Sequence, residues 1–308
     1  MKYLYLVIFS ILLGCNTAEK TANDKPKIVT STGMLYDAVI NIVGDKMEAE
    51  ALMGPGVDPH LYKATQGDLS KLREADIIVI NGLLLEGKMG EILKQLGKSQ
   101  PVVAAAESIP DSLLRSSLQY EDAYDPHVWF DVSLWKYAVN EIGAAIVAYD
   151  EPNKKYYQTN LEKYISQLDD LHAYVKREIS SIPKEKRVLI TAHDAFGYFG
   201  AAYDIRVEGV QGLSTVSDFG LRDISDISDI IIKNNVSAIF VESSVSDKAI
   251  KAVMQGCNDK GHEVKIGGSL FSDAMGALGT VEGTYIGMVQ HNTKTIVQEL
   301  SNNVKTDL

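Results

Sequence analysis

Residues 151–186 read EPNKKYYQTNLEKYISQLDDLHAYVKREISSIPKEK, and this stretch decides how the chain is organised. Apolar residues recur in it at steps of three and four, which is the period of one face of a helix. These residues are Tyr157, Leu161, Tyr164, Leu168, Leu171, Val175 and Ile179. Pro152 lies near the start of the pattern and Pro183 ends it. A helix of about 28 residues spans roughly 40 Å, so we predict one stiff helix over 151–184 that runs along two lobes.

Short apolar strands alternate with helical patterns on both sides of this helix. Strands are predicted at 27–32, 47–53, 76–82 and 101–108, and again at 187–193, 205–210, 238–243 and 265–272. Helices are predicted at 35–43, 68–75, 90–97, 196–203, 222–235, 247–260 and 283–300. Such alternation indicates βαβ units and parallel sheets. We therefore predict an α/β fold with two lobes, 27–150 and 185–308, each with a parallel sheet flanked by helices, joined by the linking helix 151–184.

The first residues, MKYLYLVIFSILLGC, are typical of an export signal. The apolar run from Tyr3 to Leu13 is too short to cross a membrane, which takes about 20 residues, and Lys2 precedes it as in a secretory signal. Leu12 to Cys15 resemble the lipobox of bacterial lipoproteins, in which the cysteine carries the lipid. We expect residues 1–14 to be a signal peptide, Cys15 the lipid attachment site, and 15–26 a flexible tether. A plain signal peptide with an incidental cysteine is the alternative.

Composition excludes several functions. The formal net charge of −11 argues against nucleic acid, because phosphate binding requires clustered Lys and Arg. The sequence contains no GxGxxG, P-loop, GxSxG or HExxH motif, so it gives no support for nucleotide binding or for those hydrolase types. Once Cys15 carries a lipid, Cys257 is the one remaining cysteine and cannot form an internal disulfide; we interpret it as structural.

The tripeptide Asp-Pro-His occurs twice, ending at His60 and at His127. Proline fixes its own φ angle and drives the preceding residue toward extended backbone, so each histidine is presented from a rigid turn. In open α/β sheets, ligands bind beyond the carboxyl ends of the strands. The alternative is that Asp-Pro is a common turn dipeptide followed by a surface histidine. The duplication favours a shared role for the two turns.

Two further residues have strand-end positions. His193 ends the apolar strand RVLITAH, and Asp273 follows the strand KIGGSLFS. A histidine there could instead satisfy a backbone carbonyl, and Asp273 could be a helix N-cap. Together with His60 and His127, they offer three imidazoles and one carboxylate, two from each lobe. These are the usual ligands of Zn²⁺ and related divalent transition metals, and a site in the cleft would hold the lobes together. His172, His262 and His291 have no strand-end position, and we interpret them as structural or solvated.

Five segments carry a family resemblance. GVDPHLY, DPHVWFDV, TAHDAFGYFG, VESSV and GGSLFSDAMG resemble the solute-binding lipoproteins of zinc and manganese ABC uptake systems, the TroA-type group. The similarity runs from about Lys27 to Leu300. It implies two lobes joined by one long helix, and a single Mn²⁺ or Zn²⁺ ion held by the residues that match His60, His127, His193 and Asp273.

The resemblance also implies where the protein works. We expect a lipid-anchored, extracytoplasmic monomer at the cell membrane that delivers metal to the permease of an ABC transporter. Three imidazoles favour Zn²⁺ over Mn²⁺ in affinity. Relatives dedicated to zinc often carry a His-rich loop in the first lobe, whereas DSLLRSSLQYEDAY (111–124) contains no histidine. That difference favours manganese as the transported ion, while zinc binding in vitro is still expected.

A zinc hydrolase and a surface adhesin are the two alternative functions. A zinc hydrolase usually keeps one metal position open for water, with three protein ligands; four candidate ligands indicate a closed site, and no general base has motif support. A surface adhesin is the other alternative, and no residue pattern addresses it. The sequence supports metal binding for transport better than either of these functions.

Overall fold

The computed structural model of the protein describes residues 25–117, 123–217 and 219–301. Cys15, the predicted signal peptide and most of the predicted tether lie outside these residues. The strands are β1 Lys27–Thr30, β2 Glu48–Ala51, β3 Ile77–Ile80, β4 Val102–Ala104, β5 Val188–His193, β6 Arg206–Gln211, β7 Ala238–Glu242 and β8 Lys265–Leu270. The helices are α1 Gly33–Val43, α2 Gln66–Glu74, α3 Gly90–Leu96, α4 Val132–Tyr149, α5 Lys154–Ser180, α6 Gly197–Tyr203, α7 Leu221–Lys233, α8 Lys248–Asp259 and α9 Tyr285–Ser301.

The strands form parallel sheets on either side of α5. The first sheet has the order β2-β1-β3-β4, and all its pairings are parallel. After α5, β5 pairs with β6 and β7 with β8, again in parallel, and β5 lies next to β7. The predicted α/β class with helix-flanked parallel sheets is therefore confirmed. Because the carboxyl ends of parallel strands share one edge of a sheet, loops from distant parts of the chain meet there.

Alternate strand residues enter different cores, as the pleat of a strand requires. In the first sheet, Ile28 and Val79 face a central core, whereas Val29 and Ile78 face a smaller outer core. After α5, Leu189 and Phe240 enter that same central core, and their strand neighbours pack against α7 and α8. The central strands β1, β3, β5 and β7 are thus buried on both faces, which is why they are almost continuously apolar. The inner faces of the two sheets share one core.

The predicted linking helix is confirmed as α5. It begins after a 3₁₀ turn at Glu151–Asn153 that contains Pro152, and it ends at Ser180, before Pro183. Of the predicted apolar stripe, all members are buried except the half-buried Leu161, which packs on Gly143 of α4. The helix contacts α1, α4 and α9, so it packs against elements before and after it in the chain. Among the described residues no helix is long and apolar enough to cross a membrane.

One helix was absent from the sequence analysis. Residues 132–149 form α4, which packs against α5 and buries residues at three- and four-residue steps. Its N-terminus is capped by Asp131, whose carboxylate accepts the backbone N–H of Ser133 at 2.8 Å. The ring of Trp135 in α4 stacks on that of Tyr285 in α9, with 5.5 Å between centroids. The fourth strand was predicted too long, because residues 105–108 form a 3₁₀ turn instead.

Candidate metal centre

Four side chains from four separate segments meet at the carboxyl ends of the strands. His60 follows β2, His127 lies in the segment before α4, His193 is the last residue of β5, and Asp273 follows β8. One potential ligand atom from each lies within 4.8 Å of every other. All four side chains are buried, with exposed fractions of 5% for His60, 2% for Asp273 and 0% for the other two. The structure therefore brings together all four residues that the sequence analysis selected.

The spacing of the donor atoms fits a metal ion. Nε2 of His60 lies 3.3 Å from Nε2 of His127. The carboxylate oxygens of Asp273 lie 3.2 Å from Nε2 of His193, 3.5 Å from Nε2 of His127 and 3.7 Å from Nε2 of His60. Ligands about 2.0–2.1 Å from a tetrahedral ion are separated by about 3.3–3.4 Å. These four distances are close to that separation, and the donor atoms all lie within 4.8 Å of one another, so a small divalent ion can be held between them.

Both Asp-Pro-His turns are closed by their aspartates. The side chain of Asp58 accepts the backbone N–H of His60 at 2.8 Å, and that of Asp125 accepts the backbone N–H of His127 at 2.9 Å. This Asx turn fixes the backbone two residues after the aspartate. The repeated motif therefore has a role for its first residue as well as for its proline, and each histidine leaves the turn in a defined direction.

Asp125 also orients the ring of its histidine. Its Oδ1 lies 2.7 Å from Nδ1 of His127, so Nδ1–H donates to the carboxylate and the lone pair of Nε2 faces the cluster. Histidines that bind metals commonly donate their other ring N–H to a carboxylate, which fixes the tautomer and increases the basicity of the ligating nitrogen. Trp129 packs its ring edge-on against His127, with centroids 5.3 Å apart.

Glu242 has the same relationship to His193. This carboxylate ends β7 and accepts both the backbone N–H of His193 at 2.9 Å and its Nδ1–H at 2.5 Å. Burial alone would lower the pKa of His193, but the charges of Glu242 and Asp273 outweigh burial and raise it well above the usual value. In the absence of metal, His193 is therefore an imidazolium at neutral pH, and its proton balances part of the buried negative charge.

The other two groups are held in the ionisation states that metal binding requires. Burial is the main cause that lowers the pKa of His60 to about 3, so this imidazole is neutral at neutral pH. Burial alone would raise the pKa of Asp273, but the neighbouring histidines, His193 first, hold it below its usual range. Asp273 is thus an anion in the protein interior, which is costly without a compensating cation.

Orphaned polar atoms show that the cluster is incomplete by itself. Nε2 of His193 and both carboxylate oxygens of Asp273 are buried without a hydrogen-bond partner, although Nε2 and Oδ2 face each other at 3.2 Å as an ion pair. Buried polar atoms in native proteins are nearly always paired, and exceptions require an explanation. A divalent cation bonded to these atoms would satisfy all of them. The residues present therefore fit a transition metal with nitrogen and oxygen ligands.

Comparisons with known proteins identify the family of the chain. A two-lobed α/β fold with a buried His₃Asp cluster at the strand ends defines a solute-binding protein for metal ions. Residues 28–299 match the family described as zinc-uptake complex component A, periplasmic (ZnuA), and the chain belongs to this family. It is a family of substrate-binding transport proteins, so the hydrolase alternative is excluded.

Individual relatives resemble the chain over most of its length. It is 47% identical over 291 residues to the manganese-binding lipoprotein MntA of Bacillus subtilis, covering 94% of this chain and 95% of the relative. It is 48% identical over 283 residues to the zinc-binding protein TroA of Treponema pallidum, covering 92% and 91%. The solved structure of that periplasmic zinc-binding protein superposes with a TM-score of 0.88 and covers 90% of this chain and 99% of the other.

The remaining histidines have other surroundings. Nδ1 of His172 lies 3.2 Å from the hydroxyl of Tyr203, and Nε2 of His262 lies 2.9 Å from the carbonyl oxygen of Val236. His291 is at the surface beside the carbonyl oxygen of Ser269. None of the three belongs to the cluster. The lone Cys257 is fully buried in α8, in the core that faces this helix.

Proposed function

We propose that the protein captures Mn²⁺ or Zn²⁺ outside the cytoplasm at the cleft between its lobes and delivers the ion to the permease of an ABC transporter. His60, His127, His193 and Asp273 would be the ligands, two from lobe 27–150 and two from lobe 185–308, with 151–184 as the linking segment. The observation that carries the proposal is the buried cluster of three imidazoles and a carboxylate with unsatisfied atoms facing one another.

Charge explains why the site would retain a dication. Asp125, Glu242 and Asp273 place three carboxylates in or directly behind the cluster, while the three imidazoles are neutral when they bind metal. A dication therefore enters a site with a surplus of negative charge. Its ligand set is closed and buried, as expected for an ion that is carried and not for one that activates water.

The proposal also concerns which of the two ions is transported. The relatives named above include a manganese-binding lipoprotein and a zinc-binding protein. Imidazole ligands favour Zn²⁺ in affinity, while the lack of histidine in residues 111–124 favours manganese as the transported ion. Both ions are therefore expected to bind in vitro.

Metal titration of the purified chain tests the proposal directly. A ligand that binds only the folded state stabilises it by RT ln(1 + [L]/Kd), about 4 kcal/mol at a thousandfold excess over Kd. The melting temperature should rise when Mn²⁺ or Zn²⁺ is added to protein stripped with EDTA, and one ion should bind per chain. Equal melting temperatures, with metal removal verified by elemental analysis, would contradict the site.

Membrane attachment and metal delivery have to be tested in cells. We propose that Cys15 carries a lipid that anchors a monomer to the outer face of the cytoplasmic membrane. A Cys15→Ser variant should lose membrane retention while its purified form keeps metal affinity. Delivery is tested by metal accumulation in cells that express the permease with wild-type protein or with His127→Ala. Equal accumulation in the two strains would contradict delivery through this site.

A further inference from the structure

Three of the four candidate ligands lie on segments that hydrogen bonds join to one another. Glu242, at the end of β7, holds His193, and β7 pairs with β8, which Asp273 follows. The indole Nε1–H of Trp129, two residues after His127, donates to the carbonyl oxygen of Ser272 at 3.1 Å, directly before Asp273. The hydroxyl of Tyr285 donates to the carbonyl oxygen of Trp129 at 2.6 Å. All of these groups are buried. The segment that carries His127 is therefore fixed to the part of the chain that follows α5.

The loop that carries His60 is held differently. Gly54, Pro55 and Val57 line a cavity of about 220 Å³ together with residues 273–276 and Leu278 of the second lobe. Pro55 and Gly56 line a second cavity of about 450 Å³ together with Phe271 and Met275. Because the loop and the second lobe line these two cavities together, their apolar surfaces are not fully packed against each other. Each polar contact of the loop therefore matters more for its position.

One such contact crosses between the lobes. The hydroxyl of Thr215, in the loop after β6, donates to Oδ2 of Asp58 at 2.5 Å. Oδ1 of the same carboxylate accepts the backbone N–H of His60. In the other turn, Oδ1 of Asp125 accepts both the backbone and the ring N–H of His127. The two Asp-Pro-His turns therefore differ: Asp125 holds its own histidine ring, whereas Asp58 connects its turn to the opposite lobe.

We propose that Thr215 is a positioning residue for metal retention. Its hydroxyl fastens the His60 loop to the second lobe through Asp58, so His60 cannot withdraw from the ion until this hydrogen bond breaks. Thr215 itself does not touch the metal. The inference rests on the proposed function, and it identifies His60 as the ligand that leaves first when the site opens.

Stopped-flow release of Zn²⁺ into an excess of a chromogenic chelator tests this role. Thr215→Val removes the hydroxyl at nearly constant volume, and a hydrogen bond to a carboxylate is among the stronger kinds. The variant should release Zn²⁺ about tenfold faster, with little change in the association rate, because the hydrogen bond forms after the ion has entered. Thr215→Ser keeps the hydroxyl and should release Zn²⁺ at nearly the wild-type rate.

Matched controls separate this role from a general structural effect. Thr159→Val makes the same change on the exposed face of α5 and should leave release unchanged. Asp58→Asn replaces the hydrogen bond to a carboxylate with a neutral one and should release Zn²⁺ faster, and Thr215→Val should have a smaller effect in this background than in the wild type, since both changes weaken one contact. Melting of the metal-free variants checks folding.

The outcomes distinguish the two proposals. Wild-type release rates in Thr215→Val, or equal acceleration in the serine and valine variants, would overturn the role of the hydroxyl while leaving metal binding intact. Full additivity of Asp58→Asn and Thr215→Val would also overturn it. Failure of the wild-type protein to bind Zn²⁺ at all would instead refute the proposed function.

Discussion

Glu242 holds His193 at two points: one carboxylate oxygen accepts the backbone N–H at 2.9 Å, and the other accepts Nδ1–H at 2.5 Å. The two residues end neighbouring strands, so a single carboxylate aligns the strand ends and the imidazole together. It also makes Nε2 a stronger donor to a metal. The properties of the site therefore depend on residues that never reach the ion.

Replacing Glu242 with glutamine should weaken metal binding by about 10- to 100-fold. The amide oxygen can accept only one of the two N–H groups that the carboxylate accepts, and it lacks the charge that makes the His193 imidazole basic. Competitive titration against a chelator of known affinity measures the change. Glu162→Gln, on the exposed face of α5, is the matched control and should bind like the wild type. Unchanged affinity in Glu242→Gln would show that the carboxylate is only structural.

Metal binding should release about one proton per ion at pH 7. The pKa of metal-free His193 is raised well above its usual value, so the imidazole carries a proton that the incoming ion must displace. The apparent affinity should accordingly rise about tenfold from pH 6.5 to pH 7.5 for one displaced proton. Calorimetry in two buffers of different ionisation enthalpy counts the protons. A binding enthalpy that is the same in both buffers would contradict the protonated state of His193.

The metal-free protein should lose stability as the pH falls, through His60. Its folded pKa of about 3 lies below the unfolded value near 6.5, so between these values the unfolded chain binds the proton and the folded chain does not. The loss begins as the pH falls below about 6.5, and from pH 7 to pH 5 it should reach about 2 kcal/mol. Urea unfolding of stripped wild type and His60→Gln measures it. Between pH 7 and pH 5, the free energy of unfolding of the variant should fall by about 2 kcal/mol less than that of the wild type. An identical fall would contradict burial as the cause of the lowered pKa of His60.

His127→Ala should reduce metal affinity by more than about a hundredfold, since even partners behind the ligands contribute 10- to 100-fold. His291→Ala, at the surface beside the carbonyl oxygen of Ser269, should bind like the wild type. Direct titration of both variants at pH 7.5 makes the comparison. A normal affinity in His127→Ala together with a reduced affinity in His291→Ala would show that the ligand assignment is wrong.

The sequence was informative where a local pattern sufficed. The stripe from Tyr157 to Ile179 predicted α5. The repeated Asp-Pro-His turn selected His60 and His127, and strand-end positions selected His193 and Asp273. Helix α4 was missed although Trp135, Ala138, Val139 and Ile142 follow the same spacing. Its helical pattern begins only five residues after His127 and directly follows the apolar 3₁₀ turn Val128–Phe130, which obscures where the helical period starts.

The two orienting carboxylates differ in how far the sequence could predict them. Asp125 lies two residues before the histidine it holds, and this spacing was a usable signal for an Asx turn. Glu242 is 49 residues from His193 in sequence, and only the contact of β5 with β7 brings them together. The contact between Thr215 and Asp58 spans 157 residues. Such pairs depend on tertiary structure, which no local periodicity encodes.

The core that the two sheets share has a consequence for how the molecule unfolds. Ile28, Leu189 and the stacked rings of Trp135 and Tyr285 belong to one continuous cluster around α5. A fragment cut at residue 150 would expose the inner face of its sheet and its helices to water, so neither half is an autonomous folding unit. The chain should melt in a single cooperative transition. Each lobe depends on the shared core for its stability. An exchange of one lobe between relatives would therefore have to include α5 and the side chains that face it.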